Sequence, residues 1–256
     1  MTDDERLAAM KAQVYLDPRS PEELQKYYDW PLTHKPDWMY GIVRVISSLY
    51  VLIVHRTTCI DRRNIPKGGP LIFAPNHASN IDHFFLGVFT LRNVQFMAKS
   101  QLYKGWFAWV MKHGGVFPVR RGKADEGSFQ VARSILERGG TICTYCEGGR
   151  SRTGHLAERA KPGIGRVALE TGAPVVPAAI VGSHRVRNWK RLRFPKVTVW
   201  YGEPMRFDVV PDPSREQQQE AADAIFARIR ALHEELSERG ARAIRAERRG
   251  GLPSER

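Results

Sequence analysis

The stretch LIFAPNHASNID, residues 71–82, carries the clearest fold signal in this chain. Its first four residues are apolar and predict a short buried β-strand, which Pro75 and Asn76 end. The polar residues Ser79 and Asn80 then offer an N-cap for a helix that continues through apolar positions. A strand, a short loop and a helix in this order are typical of an α/β fold.

This loop also contains a histidine and an aspartate, His77 and Asp82, that lie five positions apart. On one continuous helix they would point about 140° apart, so they can meet only if His77 lies in the loop and Asp82 in the first helical turn. The carboxylate could then accept an imidazole N–H and fix the tautomer of the ring. Such a pair is the base half of a catalytic triad and suits a substrate that brings its own hydroxyl nucleophile. Taken alone, the pair is more often a helix cap or a surface contact.

Two later strands are predicted to end in arginine, and one of them passes through a pair of glycines first. The chain reads GVFPVRR over residues 115–121 and TICTYCEGGRS over residues 141–151. The guanidinium groups of Arg120 and Arg150 match the geometry of phosphate oxygens. Because sites in α/β folds form at the carboxyl ends of strands, we expect both groups near His77.

Four segments in this order resemble the lysophosphatidic acid (1-acyl-sn-glycerol-3-phosphate) acyltransferase family, the glycerolipid acyltransferases with a His-x4-Asp motif. Each segment shares the characteristic polar or small residues of one family block. The matching residues are Asn76, His77 and Asp82 in the first block, Gly115, Phe117 and Arg120 in the second, Glu147, Gly148, Arg150 and Ser151 in the third, and Val176 and Pro177 in the fourth. The resemblance extends from about residue 71 to about residue 205.

The resemblance implies a single α/β acyltransferase domain with a mixed β-sheet flanked by helices. It implies that His77 is the catalytic base and that Asp82 orients its imidazole. The residues expected at the substrate are Arg120, Glu147, Gly148, Gly149, Arg150 and Lys161. The two arginines would hold phosphate, and the glycine turn would place the acceptor or stabilise developing charge. Glu147 could contact the acceptor, but bracing Arg150 is the favoured role.

The implied reaction moves a fatty acyl group from acyl-CoA or acyl carrier protein to the free hydroxyl of a lysophospholipid. The favoured acceptor is 1-acylglycerol 3-phosphate, which would give phosphatidic acid, and neither a cofactor nor a metal is expected. Glycerol 3-phosphate or another lyso-lipid is an alternative acceptor. A non-catalytic basic protein that binds membranes or nucleic acid is a less favoured alternative, because it would not need the pair of His77 and Asp82.

The composition fits one soluble core and an anionic partner. The chain has 256 residues, of which 42% are hydrophobic, enough for one substantial α/β core. Its net charge of +13 predicts an anionic partner, either nucleic acid or an acidic membrane surface. The densest basic and aromatic run, residues 185–194, has no nucleic-acid-binding motif around it, and we therefore expect no nucleic acid. A loop that faces anionic lipid headgroups and a merely solvated loop explain this run equally well.

We predict an N-terminal helical membrane-associating segment over residues 1–57, the acyltransferase domain over 58–240, and a basic, disordered tail over 241–256. Residues 38–54 are apolar except for Arg44 and two serines, and these 17 residues are fewer than the ~20 that span a bilayer. The polar positions lie close together on a helical wheel, which favours a helix lying in one leaflet over a true span or a buried soluble helix. Since no signal peptide is predicted, we expect a peripheral or monotopic protein at the cytoplasmic face of the cell membrane.

The cysteines raise the alternative of a redox pair or half a zinc site. Cys143 and Cys146, three positions apart on a predicted strand, would face opposite sides of the sheet, and Cys59 has no nearby partner in the sequence. We therefore expect three reduced thiols and no metal.

Overall fold

The computed structural model describes residues 17–120, 125–151, 153–186 and 194–250. Within these ranges the chain forms a seven-stranded sheet with helices on both faces, which confirms the predicted mixed α/β fold. The strands are β1 Thr58–Ile60, β2 Leu71–Pro75, β3 Val94–Lys99, β4 Val116–Val119, β5 Thr141–Cys143, β6 Val175–Val181 and β7 Thr198–Tyr201. The helices are α1 Pro21–Thr33, α2 Trp38–Ile53, α3 Asp82–Gly87, α4 Gly105–His113, α5 Glu126–Glu137, α6 Gly163–Thr171 and α7 Arg215–Gly250.

The central strand of the sheet is β2, and the loop with His77 leaves its carboxyl end. The strand order is β1-β7-β6-β2-β5-β3-β4, and every neighbouring pair is parallel except β6 and β7. In the register of the sheet, Phe73 lies opposite Cys143 of β5 and Val176 of β6. The carboxyl ends of β2 to β6 therefore meet at the same end of the sheet.

Alternate residues of β2 face the two helical layers, because successive side chains of a strand point to opposite faces. Ile72 and Ala74 pack into the core beneath α1, α5, α6 and α7. Leu71 and Phe73 pack toward α2 and α3 on the other face. All four side chains are fully buried, so β2 is held from both sides.

Asn76 fastens the end of β2 to β6. Its side-chain amide donates to the carbonyl oxygen of Ile180 at 3.1 Å, and the backbone N–H of Ile180 donates to Asn76 Oδ1 at 2.6 Å. Because Asn76 is buried and pairs through its oxygen and its nitrogen, it fixes the point at which the chain leaves the sheet toward His77.

The segment predicted to associate with the membrane, residues 38–54, is helical as α2. Asp37 caps its N-terminus through a side-chain hydrogen bond of 3.0 Å to the backbone. Arg44 points into the protein, where its guanidinium group donates to the backbone carbonyl of Thr90. Val51 is fully buried, so α2 belongs to the folded core along one side.

The outward side of α2 is apolar and exposed. Its exposed large residues are Trp38, Ile42, Val45, Ile46, Leu49, Tyr50, Leu52 and Ile53. Within the described ranges, no helix combines the length and the apolar character that a membrane span requires.

The C-terminal helix α7 corrects the predicted disordered tail. Residues 241–250 are helical and follow a kink at Gly240, where φ is +73°. Ile244 is buried against Ile60 and Trp200, and this contact holds the segment against the sheet. The charges of the segment predicted a solvated tail, but the free energy gained by burying Ile244 holds the segment on the sheet.

Parts of three predictions lie outside the described ranges. These parts are residues 1–16 of the N-terminal segment, residues 187–193 of the basic run, and residues 251–256 of the tail. The proposed segment boundaries at residues 57 and 240 stay a prediction.

Candidate active site

His77 and Asp82 meet in the connection between β2 and α3. His77 lies two residues after the strand, and Asp82 is the first residue of the helix, as their spacing predicts. His77 Nδ1 lies 2.9 Å from Asp82 Oδ2, and the two side chains are 10% and 0% exposed. With the carboxylate beside it, Nδ1 carries the proton of the neutral imidazole, and Nε2 then presents a lone pair.

The carboxylate of Asp82 is held by its own loop. Its Oδ2 also accepts from the backbone N–H groups of Ala78 and Ser79, each at 2.7 Å. Three donors on one oxygen fix the orientation of the carboxylate. Because all three donors lie within five residues of Asp82, the local sequence builds this half of the site.

Glu147 braces the backbone of His77, which corrects the predicted brace of Arg150. Its Oε1 accepts from the N–H of His77 at 2.7 Å, and its Oε2 accepts from the N–H of Ala157 at 3.0 Å. The N–H of Ser151 donates to the carbonyl oxygen of His77 at 2.8 Å. Glu147 and Ser151 of the third sequence block thus hold the backbone N–H and the backbone carbonyl group of His77, respectively. Burial raises the pKa of the Glu147 carboxyl group above its usual value.

Tyr145 stacks on the imidazole of His77, a contact that the sequence did not predict. The ring centroids are 3.8 Å apart, and the planes differ by 20°. Burial raises the pKa of the Tyr145 phenol well above its usual value, so the hydroxyl stays protonated. Glu147 was expected at the site from the sequence. The position of an aromatic residue two places before it, in the loop that leaves β5, was therefore the sequence signal that could have identified Tyr145.

A cavity of about 500 Å³ opens beside the ring of His77. Its apolar wall includes Phe84, Val88, Phe96, Val110 and Met111. Its polar lining includes Arg44, Asn80 and Arg150. The size and the mainly apolar wall are typical of a small-molecule site with a few polar groups that fix orientation.

His83 also lines this cavity, although it follows Asp82 directly in the chain. Its ring lies against the rings of Phe84 and Phe96, with centroids 3.9 and 5.4 Å apart. Burial lowers the pKa of His83 to about 4, so the imidazole is neutral near pH 7. An apolar setting of this kind fits a structural role for His83.

The two predicted phosphate-binding arginines occupy different surroundings. Arg150 is exposed and lines the cavity beside His77. Arg120 follows β4, and its backbone N–H donates to Asp125 Oδ2 at 2.6 Å. Its Nε is buried and has no hydrogen-bond partner within the described ranges. The structure therefore brings Arg150, and not Arg120, to the cavity.

The stem of Lys161 lies against the glycine turn. Gly148 has a left-handed φ of +64°, and its N–H donates to the carbonyl oxygen of Tyr145 at 3.2 Å. A Cβ atom at Gly148 would lie 2.8 Å from Lys161 Cγ, so the lysine stem leaves no room for a side chain at this position. Neither Gly148, Gly149 nor Lys161 lines the described part of the cavity.

The described ranges contain no group of three or more histidine, cysteine or acidic side chains that could hold a metal ion. The three cysteines are free thiols, and Cys143 and Cys146 are buried. Burial raises the pKa values of both buried thiols, which keeps them protonated near pH 7.

A family model described as Acyltransferase matches residues 56–181. These residues are similar to the acyltransferase family. The match contains the loop with His77 and Asp82 and all four sequence blocks, and it confirms the resemblance that those blocks indicate.

Curated relatives carry names from the same family. The 1-acyl-sn-glycerol-3-phosphate acyltransferase of Cocos nucifera is 28% identical over 145 residues, which cover 54% of this chain and 46% of the relative. The probable 1-acyl-sn-glycerol-3-phosphate acyltransferase of Mycoplasma pneumoniae is 29% identical over 185 residues, which cover 68% of each chain. This chain thus spans less than half of the coconut protein and about two thirds of the mycoplasma protein.

A solved structure shares the fold. The crystal structure of the 1-acyl-sn-glycerophosphate acyltransferase PlsC from Thermotoga maritima matches with a TM-score of 0.56. The sequence identity is 24%, and the match covers 84% of this chain and 95% of that chain. At this identity the likeness shows the fold alone.

Proposed function

We propose that this protein transfers a fatty acyl group from a thioester to the free hydroxyl of 1-acylglycerol 3-phosphate, which gives phosphatidic acid. The thioester donor is acyl-CoA or acyl carrier protein. One observation carries the proposal: the buried pair of His77 and Asp82 lies at a large cavity with a mainly apolar wall. The names of the relatives support the same acceptor.

In the proposed reaction, Nε2 of His77 removes the proton from the acceptor hydroxyl while Asp82 orients the ring and stabilises the imidazolium. The acceptor oxygen forms a bond to the thioester carbonyl carbon, and the carbon–sulfur bond then breaks. The leaving thiolate takes the proton from the imidazolium, which restores the neutral imidazole. Each step is an acid–base or acyl-transfer step, so the proposed reaction requires no metal or redox cofactor.

Arg150 supports an acceptor that carries a phosphate. Its exposed guanidinium group lines the cavity with His77, and such groups bind phosphate oxygens through paired hydrogen bonds. The apolar wall that includes Phe96 and Met111 suits a fatty acyl chain. Contact of Arg120, Glu147, Gly148, Gly149 or Lys161 with the substrate stays a prediction.

Acyl transfer by the purified full chain tests the proposed function. Radiolabelled acyl-CoA and acyl carrier protein serve as alternative donors, and 1-acylglycerol 3-phosphate, glycerol 3-phosphate and lysophosphatidylcholine serve as acceptors. We expect labelled phosphatidic acid from the first acceptor and little product from the third. Efficient acylation of lysophosphatidylcholine would show that the phosphate monoester is not recognised, and labelling of none of the acceptors would contradict the proposed activity.

We also propose that the outward side of α2 lies in the surface of an anionic membrane, at the cytoplasmic face. Ile46 and Ile53 are 64% and 71% exposed on this side, although free apolar surface of this extent is unusual on a protein without a partner. Leu91 and Trp106, which are 84% and 77% exposed, extend the apolar character to neighbouring loops and to α4. A site close to the membrane surface would receive an acceptor that is itself a lipid.

Vesicle co-sedimentation tests this attachment. The substitution Ile46→Asp should release the protein from anionic vesicles, because a carboxylate opposes insertion of the helix. Val209→Asp is the matched control, since Val209 is exposed to a similar extent, 60%, and lies outside α2. High salt should weaken the binding of the native chain without abolishing it, because salt screens charges and not apolar insertion. Complete release of the native chain by salt alone would contradict the proposed insertion.

A further inference from the structure

A second cavity, of about 360 Å³, lies at the edge of the sheet beside β1. Four arginines line it, and we call it the arginine pocket. They are Arg62, Arg63, Arg245 and Arg248. The remaining charged residue of the lining is Asp61.

The arginine pocket is separate from the cavity beside His77. Strand β1 is parallel to β7, β7 is antiparallel to β6, and β6 is parallel to β2. β1 therefore runs opposite to β2, and Asp61, which follows β1, lies at the end of the sheet away from His77. No residue is shared between the described linings of the two cavities.

Positive charge exceeds negative charge in this pocket. The carboxylate of Asp61 accepts from the indole N–H of Trp200 at 3.0 Å and pairs with Arg248. Arg245 donates to the backbone carbonyl of Cys59 at 3.1 Å, which positions it without neutralising it. Within the described ranges, neither Arg62 nor Arg63 has an acidic partner within 4.0 Å. One carboxylate thus faces four guanidinium groups.

The fold assembles these charges from two distant segments. Arg62 and Arg63 lie in a short 3-10 helix directly after β1. Arg245 and Arg248 lie beyond the kink at Gly240, and the buried side chain of Ile244 anchors their helical segment against the sheet. A tail that served only to carry charge in solution would need no such anchor, and like charges brought together without an anion repel each other.

We propose that the arginine pocket binds a phosphate group. Planar guanidinium groups recognise phosphate oxygens bidentately, and an anion between them would relieve their mutual repulsion. The volume of about 360 Å³ leaves room for a small phosphorylated molecule beyond the phosphate itself. This proposal does not rest on the proposed function, because the pocket is separate from His77 and its test measures binding.

The position of the pocket favours a soluble phosphate over a lipid headgroup. Ile60 and Ile244 lie beside the pocket and belong to one apolar cluster with Ala179 of β6. The side chain of Ala179 faces the same side of the sheet as Val175, which packs into the core beneath α1, α5, α6 and α7. Val176 and the helix α2 lie on the other face of the sheet. The exposed apolar side of α2 and the arginine pocket therefore belong to opposite layers of the protein.

Binding of radiolabelled inorganic pyrophosphate, measured by equilibrium dialysis, tests the proposal. The full chain carries Arg150→Ala throughout, so that the cavity beside His77 lacks its exposed arginine. Adding Arg62→Ala and Arg63→Ala should weaken pyrophosphate binding by about tenfold or more, because two charge-assisted contacts are lost. Both side chains are exposed, and folding is checked by the thermal unfolding temperature.

The matched control adds Arg228→Ala and Arg242→Ala, which remove the same charge from exposed positions of α7 outside the pocket. We expect the control to bind pyrophosphate within about twofold of its parent. Equal weakening in both double variants would show a general effect of net charge and overturn the proposal, as would an absence of pyrophosphate binding in the parent.

Vesicles of phosphatidylcholine with and without phosphatidic acid distinguish the source of the phosphate. We expect Arg62→Ala with Arg63→Ala to leave vesicle binding unchanged. If this double variant instead loses binding to the phosphatidic acid vesicles alone, the phosphate site is retained and its ligand is a lipid headgroup.

Discussion

The described ranges of the chain contain two histidine–aspartate pairs, and they differ in burial, in origin and in what lies beside them. His77 and Asp82 come from one loop, their side chains are 10% and 0% exposed, and His77 lines the large cavity. His113 and Asp37 come from positions 76 residues apart, at 2.5 Å, with side chains that are 17% and 31% exposed. Neither member of the second pair lines the described cavity.

The second pair has a structural explanation. Asp37 caps α2 with its other carboxylate oxygen, and His113 ends α4, so the pair joins two helix ends. A histidine beside an aspartate therefore does not by itself mark an active site. What distinguishes His77 is the fixed carboxylate behind it and the cavity in front of it.

The largest expected difference between the pairs is in activity. Asp82→Asn should lower kcat by about 10³–10⁴-fold, because the amide cannot hold the tautomer or stabilise the imidazolium. Asp37→Asn should change kcat by less than about threefold, since an asparagine still caps a helix. Steady-state kinetics of both purified variants decides between them. Similar kcat losses in the two variants would remove the distinction between the pairs.

The two predicted phosphate ligands give the next largest effect. Arg150→Ala should raise the acceptor KM by about 10- to 100-fold, which corresponds to the loss of one charge-assisted contact of about 1.5–3 kcal/mol. Arg120→Ala should raise it less, because Arg120 does not line the cavity with His77. Titration of acceptor and thioester in separate series is the measurement. A rise in the thioester KM alone would show that Arg150 holds the donor.

The smallest effect concerns stability and pH. Burial lowers the pKa of His83 to about 4 from 6.5, so the unfolded chain takes up this proton more readily than the folded chain. The stability that the neutral imidazole contributes is present above the unfolded pKa and is lost as the pH falls toward the folded one. Between about pH 7.5 and about pH 5 the native chain should lose about 2 kcal/mol of unfolding free energy that His83→Phe retains. Urea unfolding at both pH values measures the difference. Equal losses in the two chains would show that His83 titrates normally.

The sequence was sufficient where contacts are local. The strand before His77, the turn and the first residue of α3 lie within twelve residues, and the spacing of His77 and Asp82 allowed a single arrangement in which they meet. The order of strand, loop and helix also predicted the α/β fold, and Arg150, which follows β5, was correctly expected near His77.

The sequence was insufficient where contacts join distant segments. Glu147 accepts from the backbone of a residue 70 positions earlier, so no spacing rule connects it to His77. The stack of Tyr145 on His77 has the same origin. Arg120 matches the family block, but its backbone N–H donates to Asp125, which precedes α5. The tail folds back onto the sheet because the side chain of Ile244 is buried there.

The most direct test of the central claim is acyl transfer by the variant His77→Ala. Radiolabelled acyl-CoA or acyl carrier protein and 1-acylglycerol 3-phosphate are supplied to equal amounts of the native chain, His77→Ala and the control His113→Ala. We predict that His77→Ala forms labelled phosphatidic acid no faster than the reaction without enzyme, that it retains native circular dichroism, and that His113→Ala keeps most of the native rate. Substantial product formation by folded His77→Ala would contradict the account, because another group would then remove the proton from the acceptor.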